Sequence, residues 1–410
     1  MTQPPRRPGR PLYAAPGPTN IPDSVLEAVA RATTDFAAPA FREVYDAVEA
    51  GLRQVLGTGN ALFFYAASGH ATWEATFVNL FSAGDTVLML ESGIFSGFWT
   101  GIGRAFGLDI RTIPADWRRG ADLDRLSEAL RADRDHRIAA VCAVHNDTAS
   151  GVTLPGAEIR ERLDDAGHPA LYVLDTISSA GSLPLALDEW GVDAAVGSSQ
   201  KGLMALPGIG FTAVSDRALA RHRGAGLPRA YVDWSRMLGR GMRHSLGTVP
   251  ANLFLGLREG LRLIEREGLD AVLTRHAILA KSVRAAIAAW HGAGQGPALY
   301  CLNPARVSDS VSTILLPPGH AAAAFRAYAS ERLTVTFGGD LGLLDDRIFR
   351  IGHMGDLNEA MVLGMLGAAE LSMQATGIPH QPGLAAALRV LATPPAQPYS
   401  RGGTDPTVTR

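Results

Sequence analysis

Ala194-Ala195-Val196-Gly197-Ser198-Ser199-Gln200-Lys201-Gly202 passes from a short apolar run into small polar residues and delivers a lysine just beyond it. An apolar run of this length, bounded by small polar residues, reads as a strand buried on both faces. Upstream, Leu171-Tyr172-Val173-Leu174-Asp175 repeats the pattern and ends in an acid. Working outward, Ala61–Ala67, Thr86–Leu90, Ile110–Pro114, Ile138–His145 and Gly210–Val214 are further runs of strand length. Between them, Ala71–Phe81, Phe98–Phe106, Leu123–Ala132 and Ala157–Ala166 carry apolar residues at three- and four-residue spacing, the period of a helix. This alternation, from about Ser24 to Ala220, predicts an α/β fold with a mostly parallel seven-stranded sheet covered on both faces. Ligands of such sheets bind beyond the carboxyl ends of the strands, where both Asp175 and Lys201 fall.

Beyond Pro250 the pattern changes to long helices over Ala251–Glu267 and Leu269–Trp290, then short strands near Val311–Leu316, Thr334–Phe337 and Phe349–Gly352. With helices near Ala321–Arg332 and Asn358–Met373, this predicts a smaller α+β C-terminal domain. The expected division is an N-terminal arm over 1–20, a large domain over 21–268, a small domain over 269–392 and a disordered tail over 393–410. Met1–Pro11 is basic and Pro-rich with no apolar segment after it, which reads as a mobile arm rather than a secretory signal.

Composition narrows the classes of function. With 47% hydrophobic and 19% charged residues in 410, the chain can bury a large core, and no run is long enough to span a membrane. A net charge of -2 offers no general attraction for nucleic acid or anionic lipid, so an anionic ligand needs a local site. Cys142 and Cys301 are too few for a disulfide framework or a zinc cluster, which fits a cytoplasmic protein without a metal centre. Neither a P-loop nor a G-x-G-x-x-G turn joins a strand to a helix, which argues against nucleotide binding.

Lysine is scarce, with only Lys201 and Lys281 in the chain. Lys281 lies on the polar face of the helical stretch Arg275–Arg284 and reads as solvated. A lysine after a strand is ordinarily a surface lysine; at a sheet edge with small neighbours it can instead form an imine, provided its pKa is depressed or it is captured covalently. Asp175, one strand before it, is a turn or capping acid when taken alone, but it can also pair with a pyridinium nitrogen. The two together point to pyridoxal 5′-phosphate. Ser68-Gly69-His70 follows the Ala61–Ala67 run and opens a helix, a turn whose backbone N–H groups can cradle a phosphate. Gly93-Ile94-Phe95 offers Phe95 as a plane against a cofactor ring, and Arg350, with Arg347 as its competitor, offers a bidentate clamp for a carboxylate.

These residues join Pro16-Gly17-Pro18-Thr19-Asn20, His145-Asn146-Asp147-Thr148-Ala149-Ser150-Gly151, Ser199-Gln200-Lys201-Gly202-Leu203-Met204, Pro207-Gly208 and Arg350-Ile351-Gly352 in an ordered set from Pro16 to about Gly377. In that order they resemble the class V aminotransferases of PLP fold type I, in the alanine–glyoxylate and serine–glyoxylate branch. The resemblance implies a homodimer with a ping-pong cycle in which Lys201 forms the imine and shuttles the α-proton. It implies phosphate contacts from Ser68, Gly69, His70 and Gln200, stacking by Phe95, a ring-oxygen contact from Thr148, and carboxylate binding by Arg350. Relatives carry a tyrosine shortly before a threonine that reaches the partner subunit's phosphate; Arg243-His244-Ser245-Leu246-Gly247-Thr248 keeps only the threonine, so Thr248 is the expected contact. The family's Asp-His-Arg near the first helices reads Asp35-Phe36-Ala37, and the stacking ring is Phe rather than Trp.

The expected substrates are a small amino donor (serine, alanine or aspartate) and a 2-oxo acid, glyoxylate first and pyruvate second. The alternatives are a pyridoxamine–pyruvate aminotransferase, a PLP lyase or cysteine desulfurase, and a non-catalytic PLP-fold binding protein. A desulfurase needs a mobile cysteine late in the chain, and neither Cys142 nor Cys301 lies in a Gly/Ser-rich loop.

Overall fold

Seven apolar runs pair into one sheet in the computed structural model, which describes residues 9–33, 35–239, 247–342 and 346–393. They are β1 Ala61–Ala67, β2 Thr86–Leu90, β3 Asp109–Ile113, β4 Ile138–Val144, β5 Leu171–Asp175, β6 Ala194–Ser198 and β7 Gly208–Val214. The spatial order is β1-β7-β6-β5-β4-β2-β3, and every pair is parallel except the two made by β7. The physical reason is the link from β6, residues 199–207, which is shorter than the dozen or so residues a parallel crossover needs. That link carries Lys201. Every residue of β2, β5 and β6 is buried, so these strands are apolar throughout instead of alternating.

The first helices are α1 Asp23–Val29, α2 Pro39–Leu56, α3 Gly69–Leu80, α4 Ile94–Ala105, α5 Leu123–Ala132 and α6 Gly156–Asp165. Two hydrophobic clusters sandwich the sheet. Leu62 and Phe64 of β1 point into one, beneath α2, and Phe63 and Tyr65 point into the other, beneath α3, as the two-residue period of a strand requires. α2 buries Phe41, Val44, Tyr45, Val48, Leu52, Val55 and Leu56, three or four residues apart along most of its length, and stops at Gly57 in the left-handed conformation (φ 63). α4 begins at Ile94, four residues before the start expected from its apolar pattern. The Asp147 carboxylate accepts the Phe95 N–H at 3.1 Å and caps the extra turn from a distant loop.

The chain continues through α7 Ala251–Glu267, α8 Leu269–His291, β8 Ala298–Leu299, β9 Val311–Leu315, α9 Ala322–Leu333, β10 Ile348–Gly352, α10 Glu359–Ala375 and α11 Leu384–Leu391. β8, β9 and β10 form a separate antiparallel sheet, packed with α8 to α11 around a third cluster. The strand expected near Thr334–Phe337 does not join it. Val335–Thr336 pairs instead, in parallel, with Leu12–Tyr13 of the N-terminal segment. The arm expected over Met1–Pro11 falls mostly outside the described residues, as does the tail from residue 394. No helix among the described residues is long and apolar enough to cross a membrane.

Gly197 lets β6 pass beneath Phe211, since a Cβ there would lie 2.1 Å from the ring. Gly197→Ala is therefore expected to destabilise the protein by about 1–3 kcal/mol through overpacking, read as a lower urea midpoint with unchanged slope. An unchanged midpoint would show that the sheet relaxes freely around this strand.

Candidate active site

At the carboxyl edge of the sheet the ends of β1, β4, β5 and β6 surround a cavity of about 540 Å³, counting its open mouth. Ser68, Gly69 and His70 line one wall, where β1 ends and α3 begins. The Ser68 hydroxyl makes no capping bond, and the first amides of a helix have no intrahelical acceptors. Gly69 packs against Ile177, whose side-chain tip would have to move for a Cβ there, since its Cδ1 would lie 2.4 Å away. Gln200 lines the same cavity and accepts a hydrogen bond from the Ser198 hydroxyl. Together these groups are of a kind that could hold an anion without an arginine or lysine side chain.

Asp175 ends β5 inside the cavity and is buried. Oδ1 accepts the Ile177 N–H at 2.7 Å, which is the turn role open to any aspartate. Oδ2 accepts Trp73 Nε1–H at 3.0 Å, a bond made across the fold. Burial pushes the carboxyl up to about 7, against these two donors, with the Asp147 charge adding to the rise and Lys201 opposing it. Lys201 reaches the same cavity, and its Nζ donates to the Pro16 carbonyl at 2.8 Å. Burial lowers its ammonium to about 8; the Arg350 charge lowers it further and Asp175 opposes both. An amine titrating there is partly neutral at ordinary pH and able to act as a nucleophile or a base.

The remaining wall comes from α4 and from the loop after β4. Phe95 and Thr148 both line the cavity, Phe95 edge-on to Trp73 with ring centroids 6.4 Å apart. Asp147 lies behind them, fully buried, accepting the N–H groups of Phe95, Ala149 and Ser150. Arg350, on β10, donates from Nη1 to the Thr148 carbonyl at 2.9 Å and from Nε to the Gly339 carbonyl at 2.6 Å. Nη2 makes no hydrogen bond to the described residues. Burial lowers this guanidinium to about 10, opposed by Asp147 and Asp340.

Eight of the ten residues singled out from sequence thus line one cavity: Ser68, Gly69, His70 and Phe95 on its helix side, and Thr148, Asp175, Gln200 and Lys201 at the strand ends. Arg350 adjoins it through Thr148, whereas Arg347 is turned to the Leu316 carbonyl. Thr248 is exposed and does not line the cavity of its own chain; residues 240–246 before it lie outside the described residues. Sequence reasoning missed Trp73 and Ser178, and it gave no role to Asn146 and Pro16, although both fall in the motifs that carry the resemblance. Trp73 follows His70 by one helical turn, which was a usable signal. Asn146 donates from Nδ2 to both Ser178 Oγ and Ser310 Oγ at 2.8 Å, and those partners are 32 and 164 residues away.

The sequence description "Aminotransferase class-V" matches residues 13–314. The chain is 40% identical over 385 residues to the serine–glyoxylate aminotransferase of Methylorubrum extorquens, covering 92% of this chain and 94% of that protein. It is also 40% identical over 371 residues to the L-aspartate–glyoxylate aminotransferase of Paracoccus denitrificans, covering 90% and 92% respectively. Among solved structures, the alanine–glyoxylate aminotransferase of Nostoc sp. superposes with a TM-score of 0.81 at 30% identity, covering 91% of this chain and 98% of that one.

The Asp175 carboxyl binds its proton more tightly in the folded chain than in the unfolded one, where it titrates near 3.8. Its contribution to stability is therefore fully present below about pH 4 and is lost as pH rises through about 7, by at most a few kcal/mol. In ligand-free protein, Asp175→Asn should gain urea stability relative to wild type on going from about pH 4.5 to about pH 7.5. An identical difference at both pH values would contradict this.

Proposed function

The chain belongs to the class-V aminotransferase family, and from that premise we propose that it moves an amino group between a small amino acid (serine, alanine or aspartate) and a 2-oxo acid, glyoxylate first and pyruvate second. It is a PLP-dependent aminotransferase with the architecture of PLP fold type I. The observation that carries the reading is the meeting of the Lys201 amine and the Asp175 carboxyl in one cavity, with the Arg350 fork directly behind Thr148.

Pyridoxal 5′-phosphate supplies a protonated ring that takes up the negative charge left at the substrate Cα when its proton is removed. The donor set fits this group. Asp175 is an acid raised toward neutrality by burial, and facing a pyridinium nitrogen would restore its charged form. Ser68, Gly69, His70 and Gln200 would hold the phosphate, the uncommitted Ser68 hydroxyl and the start of α3 being the parts that support this. Phe95 would lie against the ring and Thr148 would donate to the ring oxygen. Thr248, exposed on its own chain, would serve the phosphate of the partner subunit, which is consistent with a homodimer.

Lys201 Nζ would form the covalent link to the cofactor and, once released, take the proton from the substrate Cα in one half-reaction and give one to that position in the other. A group titrating near 8 suits both directions of that transfer. Arg350 would grip the substrate carboxylate with the guanidinium edge that carries Nη2. Lys201 and Arg350 would serve an amino donor and then an oxo acid in turn at this one site, giving a ping-pong cycle. We place the boundary between the large and small domains near Gly268, the start of α8, and a cytoplasmic setting suits these substrates.

Half-reactions test the substrate reading. The cofactor-loaded enzyme, mixed with serine, alanine or aspartate, should lose its visible absorbance and regain it on adding glyoxylate, with pyruvate less effective. No spectral change with any amino acid would sink the reading, and a response to pyridoxamine with pyruvate alone would replace it with that reaction. Arg350→Lys should raise KM for amino and oxo acids by about 10- to 100-fold, through loss of bidentate contact, with a smaller change in kcat. Equal KM values in the two enzymes would move carboxylate binding to another residue.

A further inference from the structure

The N-terminal segment, expected to be an arm, threads between the two groups of the site that must act on one substrate. On one side it is bonded to the elements around Arg350: Leu12 and Ala14 donate to the carbonyls of Thr334 and Thr336, and Gly352 N–H donates to Ala14 O at 2.6 Å. Gly338 and Gly352 lack side chains where this segment passes. A Cβ on Gly338 would meet Pro16 Cδ at 2.9 Å and Arg350 Cβ at 3.1 Å, and one on Gly352 would meet the Ala15 carbonyl at 2.7 Å.

On its other side the segment is bonded to the lysine. The Thr19 hydroxyl donates to Lys201 O at 2.9 Å, Thr19 N–H donates to Gln200 O at 3.2 Å, and Lys201 Nζ donates to Pro16 O at 2.8 Å. Gly17, at φ +129, has no room for a Cβ, which would lie 2.4 Å from both Cδ and Nζ of Lys201. The segment therefore runs from the strand of the proposed carboxylate clamp to the amine in a few residues, extended at Leu12–Tyr13 and bent over residues 15–18.

We propose that residues 14–19 are a positioning element that holds the Lys201 amine on the Pro16 carbonyl whenever that amine is not bonded to the cofactor, and fixes its distance from Arg350. This rests on the reading of Lys201 as the cofactor lysine. A carbonyl can accept a hydrogen bond but cannot donate one, so it favours the ammonium form, the state of Lys201 after it has taken a proton from the substrate. It works against burial and against Arg350, on the same side as Asp175. Of the other ionisable groups, His70, from α3, lines the cavity; Asp147 lies behind its wall and acts on Asp175 and Arg350, and Asp340, Arg326 and Tyr13 act on Arg350.

The scarcity of lysine makes the test direct, because Lys201 and exposed Lys281 are the only two in the chain. Full-length, cofactor-free protein is labelled with trace acetic anhydride across a pH range, and the midpoint for each lysine is read by peptide mass spectrometry. Gly17→Ala drives the Lys201 side chain off the Pro16 carbonyl, so the Lys201 midpoint should fall by up to about one pH unit while Lys281 is unmoved. Thr19→Val, which cuts the tie to Lys201 O with little change of shape, should move it the same way by less, and it carries the test if Gly17→Ala does not fold. A Lys201 midpoint that stays put or rises in the folded variants overturns the proposal. Whether Lys201 is the cofactor lysine is decided separately, by where borohydride fixes added cofactor.

Discussion

Asp175, buried, and Lys201, half-buried, meet at one edge of a sheet whose strands are closed on both faces, and the wall around them is arranged to tolerate their loss of hydration. The carboxyl and the amine both lose hydration there, and each moves toward its neutral form unless something compensates. The compensation comes from far apart in the chain. Trp73 Nε1, from α3, and the Ile177 amide serve the acid, while the Pro16 carbonyl serves the amine. The result in the ligand-free chain is a carboxyl at about 7 and an amine at about 8, and the amine's value lies in the range in which a proton is moved back and forth cheaply. The sheet provides the placement, since β5 ends in Asp175 and the short return from β6 to antiparallel β7 exposes Lys201 at the same edge.

The cavity wall depends on a second set of buried polar bonds. Asp147 organises three backbone amides and in doing so fixes where α4 begins and where Phe95 stands. Asn146, its neighbour, ties the wall to Ser178 after β5 and to Ser310 at the start of β9. His276 of α8 adds another tie, accepting the Gly355 N–H at 3.0 Å while its other ring nitrogen faces the Ser182 carbonyl. Polar networks satisfied in this way hold one arrangement of loops in preference to many. Arg350 is positioned through the same wall, by the Thr148 carbonyl, so its strand, Phe95 and Thr148 cannot shift independently.

The parts of this that were legible in the sequence are those with a local signal. β5 and β6 announce themselves as uniformly apolar runs, and their terminal Asp175 and Lys201 stand out against that background. The Ser68-Gly69-His70 turn is visible because a strand, a glycine and a helix meet there. What was not legible depends on contacts between distant residues. The N-terminal segment looks like an arm because Pro and Gly dominate it, yet Leu12–Tyr13 pairs with Val335–Thr336 and Pro16 reaches Lys201, 185 residues away. The extra turn of α4 is capped by Asp147, 52 residues from Phe95, which no local pattern encodes. α2 carried a readable helical spacing, yet it was not among the helices named within the alternation used to infer the sheet. Substrate choice is least legible, since it turns on groups around Arg350 that come from the N-terminal segment, the β4 loop and β10 together.

The claim on which the whole account turns is that Lys201 carries the cofactor. It is tested most directly by reducing the full-length protein with borohydride in the presence of pyridoxal 5′-phosphate and mapping the modified peptide by mass spectrometry. The account predicts a coloured protein that bleaches on reduction, with the added mass on the peptide containing Lys201 and none on that containing Lys281. A colourless protein that takes up no cofactor, or an adduct on Lys281 that persists in Lys201→Ala, would contradict it.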